Sequence, residues 1–490
     1  MSSHEALLAH LRETDHIQAA ARLLQWDQET GMPTAGEATR ADVVSTMAKI
    51  AHERSTSPIL KDLLESASSE ASTPDEIRQC ELVRRDFERA EAVPARLVEE
   101  LARLTSIAQQ EWSRARANRD FAAFLPHLEK IVRLKREEGS CLAPQGGTPY
   151  DGLLSDFERG MRTAEWDALF DELERELPDL VRRIVERQRE ANARVDACSA
   201  LKGPFLASSQ MEACRRLAVS IGFDFNAGRL DLSAHPFSET IHAGDHRITT
   251  RLDSDDLVGC LFSSLHEAGH ALYEQGLPQE LVGTPLGAYC SMSVHESQSR
   301  LWENFVGRSQ AFWDVEYRNL QKAFPTMGYV SEDIWTALVR RVQPTPVRTE
   351  SDEATYNLHV LVRYRLERAM ILGDLDPADL PEAWNDAYEK HLGIRPSHDG
   401  EGCLQDVHWS AGLFGYFPTY TLGNLLAAQL YAAAERAGAT GQHVTLLGWL
   451  REHIHSQAHR FETPELVERA SGEKPTSRHF LEHLKARYLD

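Results

Sequence analysis

Apolar residues recur at helical spacing through the first 200 or so positions. Leu7, Leu8, Leu11, Ile17, Ala20, Ala21 and Leu24 mark one face of a segment from Ala6 to Leu24, and residues Ala41 to Glu53 repeat the pattern. Pro58, Pro74, Pro94 and Pro126 fall between periodic segments, where helix starts and turns belong. The charged, Leu-rich run from Thr163 to Arg194 predicts more helix, with a break near Pro178. The period changes between Phe223 and Leu252. There Gly228–Leu232 and Arg247–Leu252 alternate or are β-branched, and Gly244-Asp245 offers a turn between them. This predicts a small sheet of two or three strands. From Asp253 the pattern is helical again, so the expected fold class is mainly α with a minor sheet.

Composition narrows the function classes. The 490 residues suffice for more than one domain, and 42% hydrophobic content is that of a folded chain. The net charge of −22 argues against a nucleic-acid surface, which needs clustered Lys and Arg. No apolar run approaches the roughly 20 residues of a membrane span, and Met1–Glu5 shows no secretory leader. Seven cysteines are scattered with no Cys-x-x-Cys pair, which suits reduced thiols in a cytoplasmic protein.

The sharpest chemical feature is His266-Glu267-Ala268-Gly269-His270, an H-E-x-x-H match. On a helix the two imidazoles leave one face a turn apart, as two ligands of a single zinc require. The intervening Glu can then reach an attacking water. Ser254 or Asp253 is expected to cap this helix, Asp255 and Asp256 to occupy its first turn, and Gly276 to end it. Gly269 costs about 1 kcal/mol of helix propensity relative to Ala, so it is expected where another backbone comes close. No His follows at the spacing used by metzincins. The expected third ligand is Glu296, 26 residues past His270, which leaves a coordination position open for catalysis.

The chain then resembles the carboxypeptidase Taq family of zinc metallocarboxypeptidases. The resemblance rests on ordered short motifs: His235-Pro236-Phe237, Asp245-His246-Arg247-Ile248-Thr249, the His266–His270 motif, His295-Glu296-Ser297-Gln298, and Gly402–Trp409 with its Gln405-Asp406-Val407-His408-Trp409. A further element appears as Val347-Arg348-Thr349-Glu350-Ser351-Asp352, with Val where the family has Ile or Asn. Leu24–Gln28 and Gly31–Pro33 are similar to the family's N-terminal region, so the likeness covers nearly the whole chain.

The resemblance implies a mainly helical, two-lobed groove peptidase of the neurolysin and angiotensin-converting-enzyme type, with a small sheet at the active site. It implies a homodimer that removes single C-terminal residues with broad specificity and disfavours C-terminal proline. Residues 1–205 would form an N-terminal lobe or lid and residues 206–490 the catalytic region. Zinc, for which cobalt could substitute, would be held by His266, His270 and Glu296, with Glu267 as general base. Arg348 is the first choice to clamp the substrate carboxylate and Arg247 the second, because a guanidinium fork matches a carboxylate. His408 and Tyr420 are candidates for oxyanion stabilisation, with Tyr416 and His235 lining the groove. Gln405, Asp406 and Asp245 would orient these groups. An oligo-endopeptidase or dipeptidyl carboxypeptidase on the same scaffold is the alternative.

Overall fold

The first apolar stripe folds into a helix, Ser3–Thr30, longer than its periodic segment because Ser2 and Glu5 close a capping box ahead of it. Residues 2–490 are described by a computed structural model, the side chains at positions 37 and 38 excepted. Helices Glu37–Ser55, Pro58–Glu70, Pro74–Ala92, Ala95–Asn118 and Phe121–Leu142 follow. Pro58 and Pro74 open their helices and Pro94 caps the next, as expected. Two prolines correct the sequence reading. Pro126 lies inside Phe121–Leu142, and Thr163–Ala197 runs unbroken through Pro178. An interior proline forfeits one backbone hydrogen bond. Here the flanking faces are deeply buried, with Leu177 and Ile184 at 0% exposure, and that burial outweighs the loss.

The main core runs from Ala108 to Tyr488, across position 205. Leu7, Leu60, Leu64, Val83 and Phe87 belong to a separate small core of the N-terminal helices. All seven cysteines are free. No helix among the described residues is long and apolar enough to cross a membrane.

The predicted sheet has three strands, β1 (Gly228–Leu232), β2 (Ser238–His242) and β3 (Asp245–Thr250), in the order β1-β3-β2. β1 runs parallel to β3, and β2 pairs with β3 as an antiparallel hairpin. Gly244 supplies the left-handed turn residue at φ +77°. β2 is therefore an edge strand.

The metal-motif helix is Leu257–Gln275. Its cap is Asp256, whose carboxylate accepts from Val258 N at 2.9 Å and Gly259 N at 3.2 Å, rather than Ser254 or Asp253. Asp253 instead closes a turn by accepting from Asp255 N at 2.8 Å. Gly276 ends the helix as expected. The helix Met292–Arg300 packs across it at Gly269, where an added Cβ would sit 2.6 Å from Ser299 Cα. On the other side, Gly423 of Phe417–Arg436 would place a Cβ 2.5 Å from Glu296 Cγ. Two glycines thus let three helices close around Glu296. Gly269→Ala is expected to lower stability by about 1–3 kcal/mol, because backbone rather than a side-chain tip must yield. Denaturant unfolding of the metal-free proteins checks this, and unchanged stability would show that the helices separate freely.

Candidate metal centre and active site

His266 and His270 project from one face of Leu257–Gln275, as their spacing requires, and Glu296 meets them from Met292–Arg300. Glu296 Oε2 lies 3.6 Å from His266 Nε2 and 3.3 Å from His270 Nε2. Among the described residues these three form a metal-competent group, with ligand atoms all within 4.8 Å of one another. Two imidazole nitrogens and one carboxylate oxygen are the donor set of a catalytic zinc site with a free position, so the residues fit the metal.

Residues beyond this trio orient the ligands. Glu303 Oε2 accepts from His266 Nδ1 at 2.9 Å, which leaves His266 Nε2 as a lone pair for the metal. Arg300 donates to Glu296 Oε1 at 2.6 Å and to Glu303 Oε2 at 3.1 Å. The sequence reading did not assign Arg300 or Glu303. The signal available was their helical spacing from Glu296, four and seven residues on, continued by a π-helical turn over Leu301–Val306. His270 Nδ1 faces His295 Nδ1 at 2.5 Å, and His295 Nε2 faces Glu274 Oε1 at 3.1 Å.

Burial sets the charges. It pushes the Glu267 carboxyl up to about 7, aided by Glu296 and Glu303 and opposed by His266 and Arg300. Burial acts in the same direction on Glu296 and Glu303, but the Arg300 guanidinium and the histidines outweigh it. Glu296 is held well below the usual carboxylate range and Glu303 falls to about 2. Burial lowers His270 to about 3, so its ring is neutral and able to ligate.

His266, Glu267, His270 and Glu296 form one wall of a cavity of about 1070 Å³. Glu239 and Thr240 of β2, Tyr416, Tyr420, and His10, Thr14 and Gln18 of Ser3–Thr30 line other parts of it. Arg12 donates to Glu280 O at 2.9 Å and Arg22 to Ile241 O at 3.0 Å, so the N-terminal helix is tied to both the 280s loop and the edge strand.

Tyr420 OH lies 3.2 Å from His408 Nε2, and the Tyr416 and Tyr420 rings meet edge to face at 5.2 Å. Burial lowers His408 to about 3 and raises both tyrosines. Arg348 is buried and does not border the cavity. Its Nε and Nη2 both donate to Asp406 Oδ1, at 3.0 and 2.9 Å, and its Nη1 donates to Tyr356 OH at 2.8 Å. Gln405 Oε1 accepts from its backbone N at 2.8 Å. Arg247 makes a two-pronged pair with Asp245, both bonds 2.8 Å, and stacks 4.2 Å from the Trp26 ring. His235 is exposed, while the next two residues, Pro236 and Phe237, line the cavity.

Comparison with known proteins extends this picture. Residues 6–488 match the family model of the carboxypeptidase Taq (M32) metallopeptidases. Thermostable carboxypeptidase 1 of Thermus thermophilus is 41% identical, covering 99% of this chain and 98% of that protein. The crystal structure of an M32 carboxypeptidase from Deinococcus radiodurans superposes with a TM-score of 0.93 at 38% identity, covering 99% of this chain and 98% of that one. Metallocarboxypeptidase 1 of Trypanosoma cruzi gives a TM-score of 0.94 at 33% identity, covering 100% and 99%. The match takes in the sheet, the convergent histidines and glutamate, and the cavity they line: this chain belongs to the carboxypeptidase Taq (M32) family and is a metallocarboxypeptidase.

Proposed function

We propose that this enzyme is a zinc carboxypeptidase that releases single C-terminal residues from peptides, with broad specificity and little action on C-terminal proline. The observation that carries the reading is the convergence of His266, His270 and Glu296 beside Glu267 on the wall of one large cavity. A His₂Glu donor set favours zinc, and cobalt accepts the same ligands. When bound there, the metal supplies a Lewis acid that polarises the scissile carbonyl and acidifies water.

The chain's own residues do the rest. Glu267 takes the proton of the attacking water and returns it to the departing amine nitrogen. Tyr420, bonded to His408, donates to the oxygen on which charge develops, with Tyr416 beside it. One such donor contributes about 3 kcal/mol to lowering the barrier. The edge strand β2, which lines the cavity at Glu239 and Thr240 while Arg22 holds Ile241 O, offers backbone groups to an extended peptide near His235. A substrate ending in proline lacks the N–H at its scissile nitrogen, and so one backbone bond.

Arg348 is the proposed carboxylate clamp. Three of its five N–H groups are engaged, which leaves one on each terminal nitrogen, and the guanidinium lies 5.0 Å from the ring of cavity-lining Tyr420. Arg247, closed by Asp245, is the second choice. Residues 1–205 are proposed as a lobe over the groove, supported by the separate core of the first helices and the cavity-facing side of Ser3–Thr30. A cytoplasmic homodimer fits the free cysteines and the family resemblance.

A time course by mass spectrometry on one unstructured peptide, with its C-terminus free or amidated, tests the reading. The free peptide is expected to give a ladder of single-residue losses that a chelator abolishes, and the amidated one to stay intact. Pairwise losses would indicate a dipeptidyl carboxypeptidase. Internal cuts in both peptides would indicate an oligo-endopeptidase.

A further inference from the structure

His295 adjoins the third ligand in sequence, yet it stands outside the metal-competent trio, and both its ring nitrogens are engaged elsewhere, one of them by His270. Its Nδ1 meets His270 Nδ1 at 2.5 Å, and its Nε2 meets Glu274 Oε1 at 3.1 Å. The ring is wedged against two others, Tyr289 at 4.7 Å edge to face and Tyr273 at 5.5 Å. The two metal-facing histidines are therefore backed differently. His266 reaches a carboxylate directly at Glu303, whereas His270 reaches one only through a second imidazole.

The proton inventory of these groups leaves one arrangement. His270 must keep Nε2 bare to ligate, so its hydrogen is on Nδ1. That hydrogen points at His295 Nδ1, which must accept. A neutral His295 then carries its hydrogen on Nε2 and donates it to Glu274, which as a carboxylate only accepts. Every bond in the chain has one donor and one acceptor, and the chain ends on a negative charge. Glu274 also lies one turn beyond His270 on the same helix, while His295 comes from Met292–Arg300. The imidazole thus spans two residues of one helix from the other.

We propose that His295 and Glu274 are positioning residues that fix the tautomer and ring plane of His270 and make it a stronger metal ligand. This rests on the reading of His266, His270 and Glu296 as the metal site. Groups behind a ligand are worth about 10- to 100-fold in metal affinity.

The test compares the full-length wild type with His295→Phe, His295→Asn and Glu274→Gln. Phe keeps the ring and removes both nitrogens. Asn restores an acceptor beside His270 without reaching Glu274. Gln keeps an acceptor for His295 and removes the charge. Metal release to an excess of chelator, the visible absorption of the cobalt-loaded proteins, and the melting of the metal-free proteins are measured. His295→Phe is expected to release metal at least about tenfold faster and to shift the cobalt bands, with metal-free melting unchanged. His295→Asn should recover part of the loss, and Glu274→Gln should fall between wild type and Phe.

Wild-type release and an unchanged cobalt spectrum in His295→Phe would overturn the proposal. Equal impairment of Phe and Asn with lowered metal-free melting would also overturn it, leaving a packing role alone. A wild type that holds metal but does not shorten peptides would overturn the proposed function and leave the relay standing. A wild type that holds no metal would overturn both.

Discussion

Glu267→Gln is expected to lower kcat by about 10³-fold and to leave one metal ion per chain. The substitution is nearly isosteric and removes only the ability to take a proton. A positioned general base is worth about 10²–10⁴ in rate, and the two carboxylates beside it at the metal site are otherwise engaged. Glu296 and Glu303 are both committed to Arg300 and held as anions. Burial is the largest influence on all three carboxyls, and Glu267 differs in that the neighbouring cations do not outweigh it. That places it near neutrality, where it both accepts and returns a proton. Steady-state kinetics and elemental analysis of the same preparation check the two halves of this expectation. A metal-loaded Gln variant with wild-type turnover would remove Glu267 from the reaction.

Glu296→Ala is expected to lose the metal and weaken the protein. Glu296 is 5% exposed and its carboxylate serves two partners, the metal position through Oε2 and Arg300 through Oε1. Removing it deletes one of three ligands and leaves Arg300 with Glu303 alone among its bonded carboxylates. Breaking a buried ion pair by removing one partner typically costs about 3–5 kcal/mol, because the remaining charge stays in a poorly solvated place. Glu296→Gln separates the effects, since it keeps volume and loses charge. Metal content after dialysis should be near zero for Ala, with the metal-free protein unfolding at lower denaturant than wild type. Full retention of metal by Glu296→Ala would show that the third ligand lies elsewhere.

Arg348 shows where one-dimensional pattern stops being informative. Its motif suggested a fork free for a substrate carboxylate. In the fold two of its N–H groups go to Asp406, 58 residues away, and a third to Tyr356, which leaves one on each terminal nitrogen, and Asp406 also accepts from Arg363 at 2.6 Å. The oxygen atoms that claim an arginine are chosen by how distant segments pack, and no local spacing encodes them. The same holds for the groups behind the metal ligands. Glu303 is 37 residues from the histidine it orients and His295 is 25 from the one it backs, across a helix crossing that exists only once Gly269 and Gly423 admit close approach.

What the sequence determined by itself is local and periodic. Helical spacing put His266 and His270 on one face with Glu267 between them, alternation marked the sheet, and a glycine inside a helix announced a close backbone neighbour. Each depends on residues within a turn or two, where backbone geometry alone relates positions. Tertiary structure decided the rest. It carried Thr163–Ala197 straight through Pro178, because burying Leu177 and Ile184 outweighs one lost hydrogen bond. It joined residues on both sides of position 205 in one core, and it selected Glu303 and His295 as the partners of the two histidines. The physical reason is common to these cases. Burial and charge pairing are properties of the volume around a residue, and that volume is filled by chain segments whose sequence separation carries no signal.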